Sequence, residues 1–246
     1  MSGHSKWATT KRHKAAIDAK RGKIFSVIAK DITLAARSGG GDPASNTKLR
    51  TLLLKARAAN MPADNIDRAV KKGTGELPGV TYEELRYDGY GPGGVNLIIE
   101  VTTDNKNRAV GEIRAAFTKA GGSLGTTGAL DFNFHRKGQF LVSAEGTNED
   151  ALMEIALDAG ADDVVNNSDH FEILCDPGVF DALAKALEDR GVKPESSEIA
   201  YLPVSTVEIK DPGTARAILR LIEVLEEIDD VRAVHGNHEI DESLLG

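Results

Sequence analysis

A single cysteine in 246 residues leaves no internal disulfide to form and no cysteine-based metal site to build. That residue, Cys175, sits in FEILCDP, which reads as the buried end of a strand and suits a reducing compartment. No apolar run approaches the roughly 20 residues needed to cross a bilayer. The first residues are basic but lack both the apolar core of a secretory signal and the amphipathic arginine stripe of a transit peptide, so a cytoplasmic protein is expected. The chain also lacks HExxH and a Cys-His pairing, and its one GxSxG match, GGSLG at 121–125, falls at a helix end entering a strand rather than on a strand-to-helix elbow. No catalytic residue, cofactor or metal is therefore expected, and no small-molecule substrate or membrane partner.

What is present is uneven charge. The whole chain carries a formal charge of −8, yet residues 1–75 hold 16 Lys and Arg against 5 Asp and Glu, a net of +11, leaving −19 for the rest. The opening MSGHSKWATTKRHKAAIDAKRGKIF has seven basic side chains, the single Trp and one acid, Asp18. Such asymmetry points to an anionic polymer at one end. A solvated face usually mixes signs, and this one does not. An aromatic among lysines and arginines stacks on exposed bases while the cations neutralise phosphates. No helix carries Asn, Gln and Arg at base-reading positions, so sequence selectivity from this arm is expected to be low.

The apolar spacing gives three helices first. Ile24, Phe25, Ile28, Ile32 and Ala35 mark one face over 23–38, stopped by Gly39-Gly40-Gly41. A second starts near Pro43 with Leu49, Leu52, Leu53 and Ala56 inward. A third opens at Pro62, with Ile66, Ala69 and Val70 inward, and closes at Gly73. Strand patterns follow. LRYDGYGPGGVNLIIEVTTD reads as a hairpin, with a helix from Asn105 to Ala120 after it and a strand in ALDFNFH. QFLVSA, a helix, DDVVNN, HFEILC, a helix and SEIAYLPV give βαββαβ, the ferredoxin-like order. The flanks, with STVEIK, the helix Pro212–Ile228 and VRAVHG, supply the halves of a second such unit. The expected fold class is α+β and multidomain: an N-terminal three-helix domain (1–79), a discontinuous α/β domain (80–136 plus 204–246) and a ferredoxin-like domain inserted in it (137–203).

Three motifs have plainer readings. GYGPGG lacks the GxxxxGK[ST] pattern and no helix follows it, so it is a hairpin turn. GGSLGTTG, at 121–128, reads as a helix end entering a strand. His235 and His238 sit at a strand end with no third ligand close by, which argues against a metal.

GHSKWATTKRHKAAIDAKRGKIF, MPADNIDRAVKKGTGE, YDGYGPGGVNLIIEVTTDNKNR, GGSLGTTGAL and AGADDV together resemble the YebC/PmpR family of probable transcriptional regulatory proteins, which includes the mitochondrial translational activator of cytochrome c oxidase. The resemblance implies a helical domain with two α/β domains, and a role in gene expression without catalysis. It implies a DNA-binding transcriptional regulator or, alternatively, a ribosome-associated factor that binds ribosomal RNA and helps translation through proline-rich stretches. A third reading is an enzyme using a cleft between the α/β domains. The matching nucleic-acid-binding positions are Lys6, Trp7, Lys11, Arg12, His13, Lys14, Lys20, Arg21 and Lys23, with Lys71 and Lys72 as a second patch. A monomer is expected.

Overall fold

The computed structural model of the protein describes residues 21–241 and residue 244. Residues 131–206 form one compact unit and the other described residues form a second.

The larger unit begins with helices α1 (Arg21–Gly39), α2 (Thr47–Ala58) and α3 (Ala63–Thr74). Ile28, Ile32, Ala35, Leu49, Leu52, Ala56 and Ala69 close over one core, as the three-four spacing predicts. Helix α2 starts later than Pro43 suggests because Asn46 takes the cap. Its Oδ1 accepts from the Leu49 amide at 3.0 Å, and its Nδ2 donates to the carbonyls of Ala35 and Gly40, each at 2.8 Å. One buried side chain thus caps α2 and ties down the end of α1. Helix α3 likewise runs past Gly73 to a left-handed Gly75 (φ 85°). Gly73 has a packing role instead. A Cβ there would lie 2.5 Å from the Thr33 carbonyl oxygen and 2.6 Å from the Ala36 Cβ, so glycine lets α3 close on α1.

Strands β1 (Glu83–Tyr90) and β2 (Asn96–Thr103) pair in register around a single 3-10 turn, Pro92–Gly94, which is the hairpin that GYGPGG predicts. Helix α4 (Lys106–Lys119) is capped by Asn105, whose side chain accepts from the Arg108 amide. It ends where the Gly122 amide bonds back to the Phe117 carbonyl at 2.8 Å, and the chain enters β3 (Ser123–Leu124). After the smaller unit come β8 (Val207–Ile209), α7 (Pro212–Glu227), β9 (Val231–Gly236) and β10 (His238–Ile240). The main sheet has the order β3-β1-β2-β9. Helices α4 and α7 bury Ile113, Phe117, Ile218 and Leu225 against Leu97, Ile99 and Val101 of β2.

Two details of the second βαββαβ reading are corrected. Its element order is present, as β2-α4-β3-β8-α7-β9, but β1 rather than β8 lies beside β2. A short turn joins β1 to β2 and gives it eight register partners, whereas β8 has three and pairs in parallel with β10. ALDFNFH is not one strand either. Ala129 to Asn133 form turns, and Phe134 opens β4 of the smaller unit. The buried Asp88 carboxylate fixes this break, accepting from the Leu130 amide at 2.9 Å and from Arg86 at 2.7 and 3.0 Å.

The smaller unit runs β4 (Phe134–Ser143), α5 (Glu149–Asp158), β5 (Ala161–Asn166), β6 (His170–Cys175), α6 (Phe180–Asp189) and β7 (Ser196–Pro203). All its pairings are antiparallel in the order β5-β6-β4-β7, the ferredoxin-like sheet expected from the sequence. Phe140 and Phe180 stack in its core at 4.6 Å. Cys175 is buried there, and burial first, then Asp162 and Asp176, pushes its thiol up to about 11, which leaves it inert.

Candidate nucleic-acid interface

Lys6, Trp7, Lys11, Arg12, His13, Lys14 and Lys20 lie outside the described residues. Arg21 is the first residue of α1. Lys23 is placed differently from expectation. Its ammonium donates to the Ile228 carbonyl at 2.7 Å, just past the end of α7. Carbonyls at a helix end lack intrahelical partners and carry partial negative charge, so this cation is committed to the fold. Lys71 pairs with Asp67 one turn earlier at 2.7 Å, and that hydrogen bond raises its pKa. Lys72 is exposed, with no carboxylate within 4 Å among the described residues.

Further free cations stand beside it that the family-matched positions omit. Helix α2, TKLRTLLLKARA, exposes Lys48, Arg50, Lys55 and Arg57 and contains no acid. Helix α3 adds Arg68, one turn before Lys72. None of these five forms an ion pair with a described residue. The signal was in the sequence: four bases and no acid over a single amphipathic helix.

A groove of about 440 Å³ runs between α1 and α3. Phe25, Ser26, Lys30 and Tyr82 line one side and Asn65, Arg68 and Lys72 the other, with Gly22 at one end. Among the described residues no lining residue is acidic. Ser26, Lys30 and Tyr82 also border a second cavity of about 700 Å³, whose wall contains Asp104, Arg108, Glu112, Glu227, Asp229 and Asp230.

Between the two lies a polar node that fixes the helices to the sheet. The buried Asp230 carboxylate accepts from Lys30 at 2.9 Å and from Arg108 at 3.1 and 2.7 Å. Lys30 also donates to the carbonyls of Thr102 and Asp229, at 3.1 and 3.0 Å, and its ammonium lies 5.7 Å from the centre of the Tyr82 ring. Burial alone would raise the Asp230 carboxyl, but hydrogen bonds from Arg108, Lys30 and Thr103 hold it below the usual carboxylate range. Asp31 on α1 shows the reverse. Burial pushes it up, and Arg232, at 3.4 Å, offsets only part of that.

Elsewhere the site chemistry is sparse. His235 is on β9 and His238 on β10, in different sheets, and among the described residues no group of three His, Cys, Asp or Glu could hold a metal. No described helix is long and apolar enough to cross a membrane.

Known proteins resemble the chain over its whole length. The family description "TACO1/YebC protein N-terminal domain" matches residues 5–76, and "TACO1/YebC second and third domain" matches 82–238. A probable transcriptional regulatory protein of Opitutus terrae is 59% identical, over 100% of this chain and 99% of that one. A protein of the same description from Treponema denticola is 51% identical over 98% of each chain. The crystal structure of a conserved hypothetical protein from Aquifex aeolicus superposes with a TM-score of 0.82 at 44% identity, covering 94% of this chain and 95% of that one. With both parts matched and relatives aligned end to end, the chain belongs to the TACO1/YebC family.

Proposed function

We propose that the protein is a non-enzymatic regulator of gene expression that holds nucleic acid on the basic face of its helical bundle. One observation carries this reading: among the described residues, Lys48, Arg50, Lys55, Arg57, Arg68 and Lys72 stand exposed without an ion-paired carboxylate, in a chain of net charge −8. Exposed cations without ion pairs suit a phosphate backbone, and each phosphate neutralised releases counterions. The names of the relatives support regulation of transcription, and the reading takes DNA as the nucleic acid and the cytoplasm as the place. The reading includes the basic positions from Lys6 to Arg21 and a monomeric chain. A second reading, a ribosome-associated factor on ribosomal RNA, is favoured by the aromatic groove, because folded RNA splays its bases outward.

The test is a binding titration across a salt series on promoter duplex and on ribosomal RNA. If about six phosphates are neutralised, log affinity falls against log salt with a slope of about −5 on duplex and −4 on single strands. Replacing Lys48, Arg50, Lys55 and Arg57 with Gln should flatten that slope by three to four units on duplex, at about 0.9 per phosphate contact. An unchanged slope and affinity would refute the reading. Saturable, sequence-selective duplex binding decides for DNA, and co-sedimentation with ribosomes decides for the second reading.

A further inference from the structure

The groove between α1 and α3 combines features that a merely basic surface does not need. Two half-buried aromatic rings, Phe25 and Tyr82, line it on the α1 side, and two unpaired cations, Arg68 and Lys72, line it from α3. Met61 and Ala69 give it an apolar floor, while Asn65 is its one amide among the described residues. Its volume of about 440 Å³ is large enough for a flat heterocycle with its sugar but far too small for a duplex. An inorganic anion would leave the rings unused, and an apolar ligand would leave the cations unused. A flat ring attached to a phosphate uses both.

Resting on the reading above, we infer that this groove receives one unpaired nucleotide of a single strand, its base against Phe25 and Tyr82 and its phosphates toward Arg68 and Lys72. A base inside a duplex would first have to leave its stack, whereas a base in a loop or melted strand is already free. The groove therefore makes the bundle prefer single-stranded or looped nucleic acid over duplex of equal charge. Lys30 borders the groove but is held by Asp230, so it shapes the wall and contributes no free charge. With one amide in the lining, discrimination among bases is weak.

The experiment uses the full chain and 12-residue oligonucleotides carrying one 2-aminopurine: single-stranded RNA, single-stranded DNA of the same sequence, and the blunt DNA duplex. The wild type should bind both single strands more tightly than the duplex and quench the fluorophore on stacking. Phe25→Leu, which keeps apolar bulk but removes the π face, should lose about tenfold in single-strand affinity together with the quench. Its duplex affinity should stay within about twofold. Ser26→Trp fills the groove from an exposed position of α1 and should cause the same selective loss, which guards against a folding defect in the first variant. RNA and DNA strands that respond alike mean an unpaired nucleotide of either kind, and RNA alone narrows the ligand to ribose. If the wild type binds but neither variant changes single-strand affinity or fluorescence, the groove inference is overturned and the basic face stands. A poly-glutamate peptide that displaces the strand equally from wild type and from Phe25→Leu would also overturn it. If the wild type binds no nucleic acid at all, both readings fall.

Discussion

The two cavities that share Ser26, Lys30 and Tyr82 are opposites. Among the described residues, one has no acid in its wall and the other has five. Both contain cations, and the difference lies in what those cations touch. In the acidic cavity Lys30 and Arg108 converge on Asp230, and Arg108 also reaches Asp104 at 2.8 Å. In the other groove Arg68 and Lys72 meet no carboxylate among the described residues. A count of basic residues barely separates the two, with Lys30 and Arg108 in one and Lys30, Arg68 and Lys72 in the other. Partnership separates a cation that holds the fold from one that is available to a ligand.

The largest break in that comparison is Asp230→Ala. It would leave the Lys30 ammonium, with its side chain 14% exposed, facing carbonyls alone. Removing one partner of a buried pair costs about 3–5 kcal/mol, because the other charge remains desolvated. Urea denaturation should show a fall in midpoint at unchanged slope. The binding face on α2 should survive wherever the variant is folded.

Gly73→Ala should come next. A helix gains about 1 kcal/mol from alanine over glycine, yet this Cβ would meet the Thr33 carbonyl at 2.5 Å. Overpacking of this kind costs about 1–3 kcal/mol, so thermal unfolding should register a net loss. Wider separation of α1 from α3 should also weaken single-strand binding, as the groove between them is the site.

How much of this was legible beforehand follows physical range. The helices and the inserted sheet were readable because apolar periodicity is local, and so was the GYGPGG turn. The caps were not. Asn46 reaches back to Ala35, eleven residues away, and Gly73 matters through a carbonyl on another helix. Strand order failed where β1 and β8 compete for one edge, a choice set by turn length and pairing length that alternation does not encode. The candidate site divides in the same way. The acid-free stretch on α2 is visible as composition, whereas the commitment of Lys23 to Ile228, 205 residues away in the chain, is not. Phe25 reads as a core residue by spacing, and it does pack on the bundle core while one side lines the groove.

Two of the buried aspartates, Asp31 and Asp230, offer a finer test. Asp31 has its carboxyl raised, so the folded chain keeps that proton to higher pH than the unfolded chain does, and stability from this group falls as pH rises above about 4. Asp31→Asn should therefore be neutral or stabilising by about 1 kcal/mol at pH 7. The gain should shrink as pH falls and vanish below about pH 3, where both states hold the proton. Asp230 is lowered, so its contribution is present above the unfolded value of about 4 and is lost as pH falls through the folded value. Asp230→Asn should be destabilising at pH 7, and its deficit should close only below pH 4. Parallel pH profiles for the two variants would mean that the number of donors around a carboxylate does not set its role here.

The smallest effect separates neighbours on one helix. Lys71 and Lys72 are adjacent in sequence, but Lys71 is bonded to Asp67 and Lys72 is not. On single strands a full phosphate contact is worth about 0.7 in the log-log salt slope. Lys72→Gln should remove about that much and leave thermal stability unchanged, since an exposed unpaired lysine stabilises nothing in the fold. Lys71→Gln should remove less than half as much, because Asp67 already neutralises part of its charge. Asp67→Asn should then raise the contribution of Lys71 toward that of Lys72, steepening the slope with no new base added. If Lys71 and Lys72 prove equal in both backgrounds, ion pairing on this face does not gate access to phosphate, and the distinction drawn between the two cavities would have to rest on shape alone.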